Sequence, residues 1–297
     1  MSVMRPRSIY VIGDSQALVY GDRVWFEARH ECHVARSVYC ALYAGALADE
    51  AGRFDEAFAT AMRGVRLLTL VDGELEAFHR TPDPHVFSLT QADGRPVADP
   101  PLVFTAGQLD LQRVARYLPY DDVALPDDIG ARFEVAPECA STDDDAVPAA
   151  DLLAVVEVQL AGFRRGLRRL RQLGFGRIAV VSVPPPGGDD ALFQTVRTTI
   201  GLPQNSRRYG RRFRYKLVLT LNYALARLCD EEGVDFIDRW AEQTRGGVVR
   251  PGVLTDGIHL SAEAADRTMR WLGLWVEQGA PVGARRAAPA EREPVRT

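Results

Sequence analysis

The chain has 297 residues, 46% of them hydrophobic and 26% charged, a globular balance with enough apolar surface for a sizeable core, which excludes a largely disordered protein. A formal net charge of −4 and a pI near 5.8 supply no cationic footprint for nucleic acid or an anionic membrane surface. No stretch approaches the roughly 20 apolar residues that span a bilayer, and the opening MSVMRPRSIYVIG lacks the long apolar stretch and small-residue cleavage site of a secretory signal, so a cytoplasmic protein is expected.

Strand-like apolar runs follow one another along the chain: SIYVIG (8–13), VRLLTLV (65–71), PLVFTAG (101–107), RIAVVSV (177–183) and VDFID (234–238). Helical patterns lie between several of them, the signature of a parallel sheet covered by helices. The expected fold class is therefore α/β, a three-layer α/β/α sandwich with a roughly five-stranded parallel sheet.

The clearest helix covers 151–174. Leu152, Val156, Leu160, Phe163, Leu167 and Leu170 recur at spacings of three and four, arginines crowd the later half, and Gly174 ends it. A second helix near 214–232 carries Leu217, Leu221, Leu225 and Leu228 at the same spacing and ends at Gly233. Residues 79–101 are rich in Pro, Asp and Gly and read as a hairpin-bearing insertion. The acidic segment 119–150 reads as an excursion over the surface, with STDDDAVPAAD supplying an N-cap for the long helix. One domain over residues 1–279 is expected, with 280–297 a disordered tail.

Cys32, Cys40, Cys139 and Cys229 lie far apart without CxxC spacing, which argues against a zinc site and for buried free thiols. HECH (His30, His33) and HRTPDPH (His79, His85) lack the helical H-x-x-x-H spacing and an obvious third ligand, so neither a metal nor another cofactor is expected. The basic run NSRRYGRRFRYK (205–216) mixes arginine with aromatics, yet it opens directly into an amphipathic helix of an acidic chain. It reads as a solvated rim for an anionic substrate or carrier, not as a nucleic-acid patch.

In a parallel α/β sheet, ligands bind beyond the carboxyl ends of the strands. Ser15 lies two residues past the first strand, in Gly-Asp-Ser, where its hydroxyl can face that crevice and its own N–H can help hold an oxyanion. A serine nucleophile needs a base, usually His, oriented by a carboxylate. His259 stands three residues after Asp256 in VLTDGIHLSAEAADRTMRWL, just before a helix that Ser261 can cap. Asp256 and His259 on one short loop let the carboxylate accept the imidazole N–H and leave the other ring nitrogen for Ser15.

Gly-Asp-Ser after the first strand and Asp-x-x-His before the last helix together resemble the GDSL/SGNH hydrolase family, over roughly residues 8–275. The resemblance implies Ser15, Asp256 and His259 as catalytic residues of a serine hydrolase that cleaves an ester of a small molecule or glycan. In that family the third strand leads to Gly-x-Asn-Asp, whose asparagine completes the oxyanion hole with a glycine N–H from a second block. Here VFTAGQLD keeps Gly107 and Asp110 but has Leu109 at the asparagine position, a Gly-x-x-Asp version similar to a bacterial subgroup. Leucine has no donor, and Gln108 points the other way in an extended segment. In HECHVARSVYCALYAGALA, Arg36 and Ser37 stand where the second-block glycine is expected, and SVPPPGG (182–188) resembles a pocket wall. Asp14, Gly107, Gln108, Asp110 and Arg36 are accordingly the candidate oxyanion or substrate-binding positions. Two other readings of the residues stay open: an acyltransferase on the same triad, and a non-catalytic ligand- or carbohydrate-binding module.

Overall fold

In the computed structural model, which describes residues 7–21, 23–26, 32–40, 43–80, 99–105, 107, 110, 114, 118, 122–189 and 210–278, the first apolar run forms β1 (Arg7–Gly13). Ile9 and Val11 face one side of the sheet and Tyr10 and Ile12 the other, and both sides are covered. That is why the run is continuously apolar instead of alternating. A single helical turn, α1 (Ser15–Leu18), follows at once, and then β2 (Val24–Phe26) and β3 (Cys32–Tyr39). Next come α2 (Glu56–Gly64), β4 (Leu68–Val71), β5 (Glu74–Ala77) and β6 (Leu102–Thr105). The chain continues through α3 (Ala149–Leu173), β7 (Ile178–Val181), α4 (Arg211–Glu232), β8 (Asp235–Ile237) and α5 (Ala262–Gln278).

The main sheet has the order β2-β3-β1-β6-β7-β8. β3, β1, β6, β7 and β8 are parallel, and β2 adds an antiparallel edge. One face packs Tyr10, Ile12, Val38, Phe104 and Val180 against α2, α3 and α4. The other packs Ile9, Val11, Val103 and Val181 against Ala17 of α1, Tyr20 just after it, and Ala265, Met269 and Leu272 of α5. This is the expected three-layer sandwich.

One strand of the expected five is a different one. The run at 65–71 does not join the main sheet; its β4 pairs with β5 as a separate antiparallel hairpin. Asp72 and Gly73 both have positive φ, 51° and 85°, the requirement of a type I′ turn, and Asp-Gly is the pair that supplies it. Its place in the sheet is taken by CHVARSVY, whose mixed polarity suits a strand next to the edge.

Three further expectations are corrected. The segment 119–150 is not a surface excursion where it is described, for Val123, Ile129, Phe133, Cys139 and Val147 belong to the core. The long helix opens at Ala149 after Pro148, with no side-chain cap. The basic run is not wholly solvated either: Lys216 is fully buried on Asp122, with both carboxylate oxygens at 2.9 Å, and Arg214 is buried as well. The C-terminal glycines behave as read, with Gly174 and Gly233 in the left-handed region at φ 100° and 62°. The core of the expected insertion at 81–98, residues 205–209 and the tail beyond 278 lie outside the described residues, and so do His30 and His85. No helix among the described residues is long and apolar enough to cross a membrane.

Candidate active site

The strand order reverses beside β1: the chain passes from β1 to β3 on one side and returns to β6 on the other. At such a point the loops leaving neighbouring strands diverge and open a crevice at their carboxyl ends. Ser15 sits there. Gly13 makes the approach possible, because a Cβ on it would lie 2.2 Å from the Thr105 carbonyl oxygen of β6. Asp14 then turns the chain into α1, its buried carboxylate accepting the Gln16 N–H at 2.9 Å.

From the far end of the chain the loop before α5 brings His259 to the same crevice. His259 Nε2 lies 2.8 Å from Ser15 Oγ, and His259 Nδ1 lies 2.7 Å from Asp256 Oδ2. The second Asp256 oxygen accepts the backbone N–H groups of Ile258 and His259 at 3.0 and 2.8 Å. Burial alone would raise the Asp256 carboxyl, but these backbone donors and the imidazole outweigh it and hold the carboxyl below the usual range. Asp256 is therefore an anion at neutral pH, which favours the tautomer with the proton on Nδ1 and leaves Nε2 as an acceptor for the serine hydroxyl. A hydroxyl, an imidazole and a carboxylate are thus in one hydrogen-bonded line, half open to solvent, an arrangement that suits a serine nucleophile with its base.

The other candidates are placed differently. Gly107 is buried at φ 119°, with Leu221 and Val183 where a side chain would be, so backbone is all it presents. Asp110 is buried and accepts the N–H groups of Ala44 and Gly45 at 2.8 and 3.1 Å. It fastens the turn after β3 to the crevice, and that turn is pressed onto α3, where a Cβ on Gly162 would meet the Gly45 carbonyl oxygen at 1.8 Å. Arg36 stands within β3 opposite Tyr10, not at a helix start. It is three residues, about 10 Å of strand, short of the end that carries Ser15. Gln108 and Leu109 lie outside the described residues.

Several supporting side chains carry no motif. Asn222 on α4 clamps the segment after β7, accepting the Val183 N–H at 2.8 Å and donating to the Val183 carbonyl at 2.9 Å. Arg214 donates to the Gly187 carbonyl at 2.6 Å, and the Gly187 N–H in turn donates to the Gly257 carbonyl at 2.9 Å. The 182–188 wall is thereby tied to the loop that bears Asp256 and His259. Cys40 lies close to Gly13, but burial and the nearby Asp14 push its thiol up to about 11, so it is no competing nucleophile at neutral pH. His33, buried, bonds Glu277 at 2.9 Å, and no group of three or more His, Cys, Asp or Glu among the described residues is placed to hold a metal.

No family model and no curated protein matches the sequence. Among solved structures, a GDSL-like lipase from Bacteroides thetaiotaomicron is 11% identical, covers 92% of this chain and 89% of its own, and superposes with a TM-score of 0.40. A carbohydrate acetylesterase family member from Sinorhizobium meliloti is 16% identical over 92% of this chain and 98% of its own, with a TM-score of 0.37. An extracellular lipase from Streptomyces rimosus is 12% identical over 90% and 99%, also at 0.37. At these identities and TM-scores nothing about activity passes from them to this chain.

Proposed function

We propose that this chain is a serine hydrolase that cleaves an ester of a small molecule or glycan through an acyl-enzyme. The observation that carries the reading is the line from Ser15 Oγ to His259 Nε2 at 2.8 Å and from His259 Nδ1 to Asp256 Oδ2 at 2.7 Å. The order Ser, Asp, His along the chain, with Gly-Asp-Ser and Asp-x-x-His as the local patterns, supports a place in the GDSL/SGNH family.

In the first half-reaction Ser15 Oγ adds to the ester carbonyl while His259 Nε2 takes its proton. The resulting imidazolium faces the Asp256 carboxylate, which stabilises it without taking the proton. Collapse of the tetrahedral intermediate expels the alkoxide, which leaves as an alcohol after receiving the proton from His259. Water then adds to the acyl-serine with His259 again as base, and the acid departs with Ser15 restored. For the oxyanion, the donors proposed are the backbone N–H groups of Ser15 and Gly107, neither of which bonds another group among the described residues. Leu109 supplies no side-chain donor, and one missing donor costs on the order of 10²–10³ in rate, so a slow hydrolase is expected.

The test is hydrolysis of short p-nitrophenyl esters together with labelling by a fluorophosphonate. Ser15→Ala is expected to lower kcat by at least about 10³-fold and to abolish labelling while the fold is retained. Equal hydrolysis by both proteins sinks the assignment, and product analysis with added alcohols separates transfer to an acceptor from transfer to water.

A further inference from the structure

Gln16 follows the proposed nucleophile directly and is almost wholly buried, at 4% exposure. A buried primary amide needs partners for both ends, since an unmet one costs about 1–3 kcal/mol. Gln16 finds them on the backbone either side of His259. Its Nε2 donates to the Ile258 carbonyl at 2.8 Å, and its Oε1 accepts the Leu260 N–H at 3.4 Å.

Only the Ile258 carbonyl and the Leu260 N–H of this stretch bond the Gln16 side chain. The Ile258 and His259 N–H groups donate instead to Asp256 Oδ1 at 3.0 and 2.8 Å, and the His259 carbonyl accepts the Thr255 N–H at 2.9 Å. The base is therefore pinned from two sides. The Asp256 side is local to its loop and sets the tautomer and ring orientation. The Gln16 side is the direct side-chain tie from that loop to the residue beside Ser15, and Asp14 holds the Gln16 backbone in place through its cap.

We propose that Gln16 is a positioning residue for the Ser15–His259 pair, setting the distance between nucleophile and base across 244 residues of chain. This rests on the reading of the site as a serine hydrolase. Asp256 fixes which nitrogen of His259 carries the proton; Gln16 fixes where the other nitrogen lies relative to Ser15 Oγ. A shift on the order of 1 Å in such a pair can cost about 10²-fold in rate.

The experiment compares the wild-type chain with Gln16→Met, which keeps the volume and loses both bonds, and with Gln16→Glu, whose protonated carboxyl can reproduce donor and acceptor. Fluorophosphonate labelling of Ser15 and p-nitrophenyl ester kinetics are read per folded molecule, with folding checked by circular dichroism. For Gln16→Met, labelling and kcat are expected to fall about 10- to 100-fold with KM within about twofold, because the Gln16 side chain is almost wholly buried and both its amide ends are bonded to the His259 loop. For Gln16→Glu, the labelling rate relative to wild type is expected to rise as pH falls from 8 to 6, when a buried carboxyl takes up its proton. Folded Gln16→Met labelled within twofold of wild type overturns the role of Gln16. Should Gln16→Met not fold, a pH-independent ratio for Gln16→Glu overturns it instead. A wild-type chain that is not labelled at Ser15 overturns the hydrolase reading itself, and this role with it.

Discussion

Replacing Asp256 by Asn tests the orienting carboxylate at the smallest scale. Asparagine keeps an oxygen for the Ile258 and His259 N–H groups but turns an NH2 toward Nδ1, favouring the tautomer whose Nε2 already carries a proton. A loss of about 10³-fold or more in kcat is expected at pH 8, with thermal stability nearly unchanged, and ester kinetics beside a melting curve check both. The three residues of this line were legible in the sequence because their chemistry demands specific types: a hydroxyl after a strand, a histidine, and a carboxylate within a few residues of it. Gln16 was not legible. A glutamine has no chemical signature, and the groups that give it meaning, Ile258 and Leu260, are 242 and 244 residues away. Asp110 was legible as a position but not as a role, since its use on the Ala44 and Gly45 N–H groups depends on how close the turn after β3 comes to the crevice.

Elements show the same division. The runs that became β1, β6 and β7 were readable because strands buried on both faces are continuously apolar, and β8, a half-buried edge strand, because VDFID directly follows a helix that ends at Gly233. β3 was not, because near an edge its Arg36 and Tyr39 reach solvent and break the run. The run at 65–71 misled because hydrophobicity does not say which sheet a strand joins; the Asp72–Gly73 turn does. In the basic run, Lys216 was indistinguishable from its solvated neighbours until helix geometry turned it toward Asp122, which also receives Arg212 at 2.6 Å. Lys216→Met should cost about 3 kcal/mol in urea unfolding, near the low end for breaking a buried pair, since Arg212 remains on the carboxylate. Burial would raise the Asp122 carboxyl, but the Lys216 hydrogen bond and the Asp143 and Val123 N–H groups outweigh it and hold it low. A depressed carboxyl gives stability that is present above its unfolded value and lost as pH falls through the folded one. Between pH 5 and pH 3, wild-type stability should therefore drop more steeply than that of Asp122→Asn, as urea midpoints will show.

Across the whole molecule, the two apolar layers meet at the central strands, and β1 has neighbours on both edges as well as both faces. Amides of β1, β6 and β7 should exchange with solvent only on global unfolding, whereas those of the β4–β5 hairpin, paired outside the main sheet, should open at lower free energy. Hydrogen exchange resolved by mass spectrometry measures both, and equal protection of hairpin and central strands would contradict this picture. The layer architecture was readable from the alternation of strand and helix signals, but not the side of β1 on which each later strand would settle. One consequence concerns synthesis. His259 is made 244 residues after Ser15, so a ribosome can complete the sheet as far as β7 while the serine still lacks its proposed base. On the proposed mechanism the nascent chain is inert until the loop bearing His259 docks, and in a refolding experiment any ester cleavage should return only as the fold closes, because it cannot precede the meeting of these two distant segments.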